Sequence, residues 1–243
     1  MPLRHDLSNV FPWRIGALRD VAEKMPQGWL DAYDSDGSRP APSCTPVEAL
    51  DRLETVAGVV RLAHLELVPG FRRPIFEVVS EGVSMFTPGE PLLQHSSVIY
   101  VANSGSGAPM HLDLHHNLFF HLTGTKYFRI GQMRDERMQH EAVVRKLGGV
   151  SEPLRVLDQV TELELNPGDA LYVPPFTFHA VESDGPTVSV SCSWSTPSSE
   201  RAVPLQRVNG RLSRFGVRTA PPGRHRLVDL AKVTLERASH LVR

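Results

Sequence analysis

The sequence predicts a mainly β fold, a double-stranded β-helix (jelly roll), with an N-terminal helical layer and C-terminal helices. Short segments rich in β-branched and aromatic residues, separated by turn signals, fill residues 92–194. The chain before this region, and again after Pro204, carries stretches with apolar residues at the helical period. We therefore expect one domain over residues 1–200, helical cover included, and a C-terminal helical extension over residues 201–243.

The composition is that of a soluble globular protein. The chain has 243 residues, of which 41% are hydrophobic and 22% charged, enough for a substantial core. The formal net charge of -1 argues against whole-protein attraction to nucleic acid or to an anionic membrane. Two cysteines, Cys44 and Cys192, are too few for a disulfide scaffold or a cysteine-based zinc site. Without a long apolar run or a signal-peptide core, we expect a cytoplasmic protein.

The N-terminal third predicts helices and one strand. Residues 11–26 carry an apolar stripe after an early proline, and residues 33–44 have the composition of an exposed loop. Thr45, followed by proline and then by glutamate three residues on, predicts a helix that begins with a capping box. Residues 59–68 predict a strand, and residues 72–81 predict a third helix.

The middle of the chain predicts antiparallel strands. Residues 97–102 form one strand, and residues 111–122 form a second that turns at 123–125 into a returning strand at 126–130. The remaining predicted elements are a helical insert at 135–147, strands at 160–165 and 187–194, and a turn at 166–169 before Ala170. After Pro204 the chain is predicted to be helical, with a basic face that favours a solvated docking or dimerisation helix over a nucleic-acid surface.

Three candidate metal ligands come from two distant segments. His111 and Asp113 stand two residues apart, which in a strand places both side chains on one face. His179 follows the segment Pro-Gly-Asp-Ala-Leu-Tyr-Val-Pro-Pro at the predicted start of a late strand. Two imidazoles and one carboxylate leave metal positions open, as in non-haem Fe(II) oxygenases.

A regular strand from His111 would line one inner face with polar side chains. That face comprises His111, Asp113, His115, Asn117, Phe119 and His121. Such a face is costly to bury without partners, and a polar cavity or a metal would relieve the cost.

Over residues 92–194 these linked motifs resemble the JmjC-type, cupin-like Fe(II)/2-oxoglutarate-dependent oxygenases, and within them the asparaginyl hydroxylase branch that acts on hypoxia-inducible factor. The resemblance implies that His111, Asp113 and His179 bind iron. It implies that Lys126, thirteen residues after the aspartate, pairs with the far carboxylate of 2-oxoglutarate, and that Asn117 contacts this cosubstrate.

Two positions depart from the family pattern. Ala108 stands where the family has a cosubstrate-binding threonine, and Cys192, or Ser191 if the alignment shifts by one, stands near the place of an asparagine. Tyr100 and Ser191 are therefore candidates to supply the missing cosubstrate contacts. His115, His121 and Trp194 are candidates for substrate contacts, the alternative being interior histidines and a packing residue.

The resemblance implies an Fe(II)/2-oxoglutarate dioxygenase that uses O2, hydroxylates an unactivated C–H bond and releases succinate and CO2. We expect a small-molecule or amino-acid/peptide-type substrate, in bacterial specialised metabolism, and neither a nucleic-acid nor a membrane partner. A protein hydroxylase of the same mechanism, a non-catalytic metal-binding cupin that acts as a sensor or regulator, and a zinc-dependent isomerase or hydrolase are the alternatives. By analogy with the family, a homodimer through the C-terminal helices is expected.

Overall fold

The computed structural model describes residues 2–34, 45–53, 58–149 and 157–241. Most of the loop predicted at residues 33–44, including Cys44, lies outside the described residues, as does part of the segment after the helical insert. The chain divides into two compact units, residues 1–130 with 162–195, and residues 131–161 with 196–243. These units are defined by how densely their residues pack. The division into domains 1–200 and 201–243 stays a prediction.

The first unit is built on antiparallel strands. They are β1 (Pro2–Arg4), β2 (Leu30–Tyr33), β3 (Val59–Ala63), β4 (Gln94–Ala102), β5 (Gly107–Leu112), β6 (His116–Gln132), β7 (Gln159–Leu165), β8 (Asp169–Val173) and β9 (Phe178–Ser195). The strand order is β1-β8-β6-β9-β4-β3-β2, with β5 paired to β9 and β7 paired to β6. The predicted fold class, mainly β with flanking helices and consistent with a jelly roll, is confirmed.

Three helices of the first unit are α1 (Ile15–Ala22), α2 (Pro46–Asp51) and α3 (Arg72–Phe86). The capping box at Thr45 is confirmed, because its backbone N–H donates to the Glu48 carboxylate at 2.7 Å and its hydroxyl accepts from the Glu48 N–H at 3.3 Å. Helix α1 is shorter than predicted. Strand β3 ends earlier than predicted, because His64 adopts a left-handed conformation with φ 62°.

The predicted continuous strand over residues 111–122 is wrong. Strand β5 ends at Leu112 and β6 begins at His116, so residues 113–115 interrupt the alternation on which the shared inner face depended. The predicted turn at 123–125 is also wrong, because β6 runs without interruption through Gly124; residues 126–130 are strand as predicted, but they continue β6. Gly124 has φ +75°, and a Cβ there would lie 2.5 Å from the Pro186 carbonyl oxygen, so only glycine fits this bend.

Two apolar clusters stabilise the first unit. The larger one packs the helices against the sheet and includes Leu18, Leu50, Ile75, Val190 and Trp194. The smaller one consists of Phe119, Phe128, Leu165, Leu171 and Val173. Burial of these side chains supplies the main favourable free energy of folding. The close packing also keeps the strands that carry the site residues rigid.

The second unit contains three helices, α4 (Glu136–Leu147), α5 (Pro197–Ser213) and α6 (Arg226–Leu241). Helix α4 matches the predicted insert and begins at the N-cap Asp135. Helix α5 begins before Pro204, because Thr196 and Ser199 form a capping box ahead of that proline. Across α5 and α6, Lys232 donates to Asn209 at 2.8 Å, and Arg211 pairs with buried Glu236. Within the described residues, no helix combines the length and apolarity needed to cross a membrane.

Candidate metal and cosubstrate site

The three predicted ligands converge at one end of paired strands. His111 near the end of β5 stands directly opposite His179, the second residue of β9, in the antiparallel register. Asp113 follows in the short break before β6. One ligand atom from each of the three residues lies within 4.8 Å of the others, and the two imidazole rings are 4.2 Å apart.

The hydrogen bonds of the two histidines fix their tautomers. The Nδ1 atom of His111 is 2.8 Å from the Pro109 carbonyl oxygen, and that of His179 is 3.0 Å from the Thr177 carbonyl oxygen. Because a carbonyl only accepts, each Nδ1 carries the proton and each Nε2 keeps its lone pair for a ligand. Burial, followed by the neighbouring His111, lowers the pKa of His179 and favours the neutral, ligating form.

The Asp113 carboxylate is oriented by a chain of side chains. Asn117 donates from Nδ2 to Asp113 Oδ2 at 3.2 Å, and the Ser191 hydroxyl donates to Asn117 Oδ1 at 2.8 Å. The backbone is held as well, since the Phe176 N–H donates to the Asp113 carbonyl at 2.7 Å. Phe176 itself takes a left-handed φ of 62°, an uncommon conformation for a bulky residue. The carboxylate is therefore fixed before any metal binds.

The three ligands face a cavity of about 480 Å³, which Tyr100, Asn117, Lys126 and Ser191 also line. The volume falls within the range of small-molecule sites. The four residues predicted to bind a cosubstrate thus share one cavity with the three predicted to bind the metal.

Lys126 is a buried cation in this cavity and is only 3% exposed. Its Nζ donates to the Ser189 hydroxyl at 3.1 Å and stands 5.6 Å from the centre of the Phe119 ring. Burial lowers the pKa of Lys126 to about 7. Among the described residues, no carboxylate forms an ion pair with it.

These residues fit a metal and an anionic ligand. Two neutral imidazoles and one carboxylate are a donor set that Fe(II) accepts with positions left over for other ligands. A buried ammonium without a counter-charge is costly, and a dicarboxylate in the cavity would remove that cost. Phe119 and Phe128, which also line the cavity, supply apolar walls that would strengthen such a pairing.

Three predicted substrate residues lie elsewhere. His115 and Trp194 line a separate recess of about 130 Å³, and the Trp194 ring stacks on His116 at 5.3 Å. His121 is fully buried, and its Nε2 donates to the Gly124 carbonyl at 2.8 Å. Burial lowers the pKa of His121 to about 4, so this imidazole is neutral and structural. Of the three, only His115 lies in the break at residues 113–115; His121 follows the cavity-lining Asn117 and Phe119 along β6, and Trp194 lies on β9.

The two departures from the family pattern lie on β5 and β9, and the two candidate residues on β9 face opposite sides of the sheet. Ala108 lines the cavity, and so does Ser191. Cys192, by contrast, is fully buried in the larger apolar cluster, where burial raises the pKa of its thiol. Ser191 is therefore the residue of this pair that can meet a cavity ligand.

Sequence reasoning missed three residues at the cavity. Ser189 holds Lys126, while Tyr33 and Arg61 form part of the cavity wall. The one available signal was Arg61, a single charge in the otherwise apolar segment Val-Val-Arg-Leu-Ala. Ser189 and Tyr33 carried no such signal, because only the pairing of distant strands brings them to the site.

Solved structures with a similar fold come from Escherichia coli. The structure of ycfD has a TM-score of 0.51 and 17% identity, and the match covers 97% of this chain and 63% of that one. A second, "YcfD, a ribosomal oxygenase", in complex with cobalt and succinic acid, has a TM-score of 0.50, 18% identity and coverage of 97% and 62%. The chain thus spans less than two thirds of these proteins.

Two known proteins are similar in sequence to part of this chain. "Jumonji C domain-containing protein 5" of Drosophila melanogaster is 31% identical over 106 residues, which cover 39% of this chain and 26% of that protein. "Uncharacterized protein YxbC" of Bacillus subtilis (strain 168) is 24% identical over 113 residues, covering 42% and 34%. The family model of the JmjC domain matches residues 87–202, the region that carries all three candidate ligands. Over these residues the chain is similar to the JmjC domain family.

Proposed function

We propose that this protein is an Fe(II)- and 2-oxoglutarate-dependent dioxygenase that hydroxylates an unactivated C–H bond. The observation that carries the proposal is one cavity that has the clustered His111, Asp113 and His179 at one place and, at another, a buried Lys126 that pairs with no carboxylate of the described residues. A metal-binding sensor would need the ligands but would have no use for a buried lysine in the same cavity.

Each residue has a defined part in this proposal. His111 and His179 offer Nε2, and Asp113 offers a carboxylate oxygen, to one ferrous ion. Asn117 and Ser191 keep the carboxylate in place, and Lys126, held by Ser189, binds the far carboxylate of 2-oxoglutarate. The bound iron would supply the oxidising chemistry with O2 and 2-oxoglutarate, leaving succinate and CO2.

The cavity walls serve the same reaction. Phe119, Phe128 and Val181 present apolar surface to the cavity and limit the access of water. In such surroundings the attraction between Lys126 and a carboxylate is stronger than in water. The expected gain from this one charged contact is about 1.5–3 kcal/mol, or roughly ten- to hundredfold in affinity.

Succinate release tests the proposal. We expect purified protein with Fe(II) and 2-oxoglutarate to release succinate in air and none under nitrogen. His111→Ala and Asp113→Ala should abolish the release, and Lys126→Met should raise the 2-oxoglutarate concentration needed by at least tenfold. Lys146→Met, at an exposed position of α4, is the matched control.

Other outcomes favour other functions. Metal binding without 2-oxoglutarate binding or succinate release would contradict the proposal and support a sensor or regulator. Turnover of a substrate in the absence of O2 would support a zinc-dependent isomerase or hydrolase.

The substrate has two candidate classes. A small molecule or amino-acid/peptide-type substrate, in bacterial specialised metabolism, follows from the sequence analysis. A protein substrate is the second candidate, because one similar structure is described as that of a ribosomal oxygenase. Mass spectrometry for the gain of one oxygen atom, on small molecules and on a proteome incubated with the enzyme, distinguishes them.

A further inference from the structure

A second cation, Arg61, enters the cavity from the wall formed by β2, β3 and β4. The strand register places Asp31, Arg61, Tyr100 and Ser189 side by side in one row across the sheet. Neighbouring strands are about 4.8 Å apart, so the backbones of Arg61 and Ser189 are separated by roughly 10 Å. Because Lys126 bonds to Ser189, Lys126 is held at the Ser189 end of this row, and Arg61 lies two strands away from Ser189.

Aromatic rings hold the Arg61 guanidinium in place. Its central carbon is 5.6 Å from the centre of the Tyr33 ring and 5.7 Å from that of Tyr100, within cation–π range. Nη1 donates to the Tyr33 hydroxyl at 3.1 Å. The Nε atom is buried and donates to no described residue. The Arg61 guanidinium is therefore held in position, and its Nε–H remains available to a ligand.

The charges around the cavity leave Arg61 poorly compensated. Among the described residues that line the cavity, Asp113 is the only carboxylate, and the metal would use it. Asp31 approaches Nη1 at 3.5 Å, but its side chain is 46% exposed, so water and salt weaken this pair. With Lys126 given to the cosubstrate, Arg61 is a second cation at the cavity whose only ion pair among the described residues is the half-exposed one with Asp31.

We propose that Arg61 binds a carboxylate of the molecule to be oxidised, so that the substrate is a carboxylic acid or an acidic residue of a peptide. This inference rests on the proposed function, because it concerns the substrate of that same site. A guanidinium fork matches a carboxylate in shape and charge, whereas a lysine or arginine side chain entering the cavity would meet repulsion. If Arg61 only stacks between two tyrosines, substrate preference does not depend on it.

Matched probes test the substrate class. Peptides that differ only by Asp, Asn or Lys at one central position, and the free acids N-acetylaspartate and N-acetylasparagine, are compared at saturating 2-oxoglutarate. We expect the Asp member of a set to raise succinate release, and to gain one oxygen atom, with at least tenfold higher kcat/KM than its Asn partner. Preference for the free acid or for the peptide distinguishes the two sources of the carboxylate.

Variants assign the preference to Arg61. We expect Arg61→Gln to raise KM for the acidic probe at least tenfold, Arg61→Lys to restore part of the loss, and Arg73→Gln, whose side chain is 89% exposed, to change nothing. The Kd of 2-oxoglutarate for the Mn(II)-loaded protein, measured by calorimetry, should differ less than twofold between wild type and Arg61→Gln. Weaker 2-oxoglutarate binding in Arg61→Gln would overturn the proposal by making Arg61 a cosubstrate residue.

One measurement requires no variant. With Mn(II) and 2-oxoglutarate bound, the acidic probe should raise the Tm of the wild-type protein more than its amide partner does. No preference for the acidic probe in both assays, including no effect of any probe, would overturn the proposal for Arg61. Failure of the wild-type protein to bind 2-oxoglutarate would instead overturn the proposed function, so the two failures are distinct.

Discussion

Replacing Lys126 with methionine should make the metal-free protein more stable while weakening its binding of 2-oxoglutarate. Methionine has nearly the same length and no charge, so it fills the space without the cost of a buried ammonium. Burial lowers the pKa of Lys126 from 10.5 to about 7, and the unfolded chain therefore binds more protons than the folded protein between these values. Stability of the wild type thus rises with pH through this window.

The size of the effect follows from that pKa shift. The cost of burying Lys126 is about 5 kcal/mol at pH 6.5 and about 2 kcal/mol at pH 9. Losing the bond to Ser189 offsets about 1 kcal/mol of the gain. We therefore expect urea unfolding to give a Lys126→Met variant that is more stable by about 3–4 kcal/mol at pH 6.5 and by about 1 kcal/mol at pH 9.

The matched control for this experiment is Lys146→Met, which should leave stability unchanged at both pH values because its side chain is exposed. Adding Mn(II) and 2-oxoglutarate at pH 6.5 should stabilise the wild type and the control more than Lys126→Met. The reasoning would be refuted if Lys126→Met were less stable than the wild type. It would also be refuted if the difference in free energy of unfolding did not shrink as the pH rises, because a buried charge without a partner requires both results.

Four further predictions concern other parts of the molecule. Asn117→Ala should weaken metal binding about tenfold or more, because the carboxylate ligand loses its amide donor, and calorimetry with Mn(II) checks this. Burial lowers the pKa of His121 from 6.5 to about 4, so the unfolded chain binds more protons between these values. The wild type should therefore lose about 3 kcal/mol of stability as the pH falls from 6.5 to 4. His121→Gln should flatten this dependence in urea titrations, and an unchanged slope would contradict the assignment. Gly210→Ala should lower the free energy of unfolding by about 1–3 kcal/mol, because the added Cβ would lie 2.9 Å from backbone atoms of Leu147 and Gly148 at the end of α4. Gly16→Ala, which has open space around it, should leave the free energy of unfolding unchanged. If α6 mediates a homodimer, Leu230→Glu, at a position 64% exposed, should halve the mass measured by light scattering, and a monomeric wild type would exclude the dimer.

Local sequence rules worked where neighbouring residues alone decide the structure. The Thr45 capping box and the Asn166–Asp169 turn depend on contacts within four residues, and both form as predicted. The strand through His111 failed because alternation assumes unbroken pairing, whereas the chain changes its pairing from β9 to β8 across residues 113–115. His115 lies within this break and does not line the cavity.

The sequence by itself determined the fold class, and its motifs singled out His111, Asp113, His179 and Lys126 before any coordinates. These features are carried by residue type and spacing, which the chain displays directly. Only the tertiary structure decided which side chains share the cavity: it separates Ser191 from Cys192 and adds Arg61. That outcome depends on strand register, because pairing between segments far apart in the chain determines which face each residue occupies.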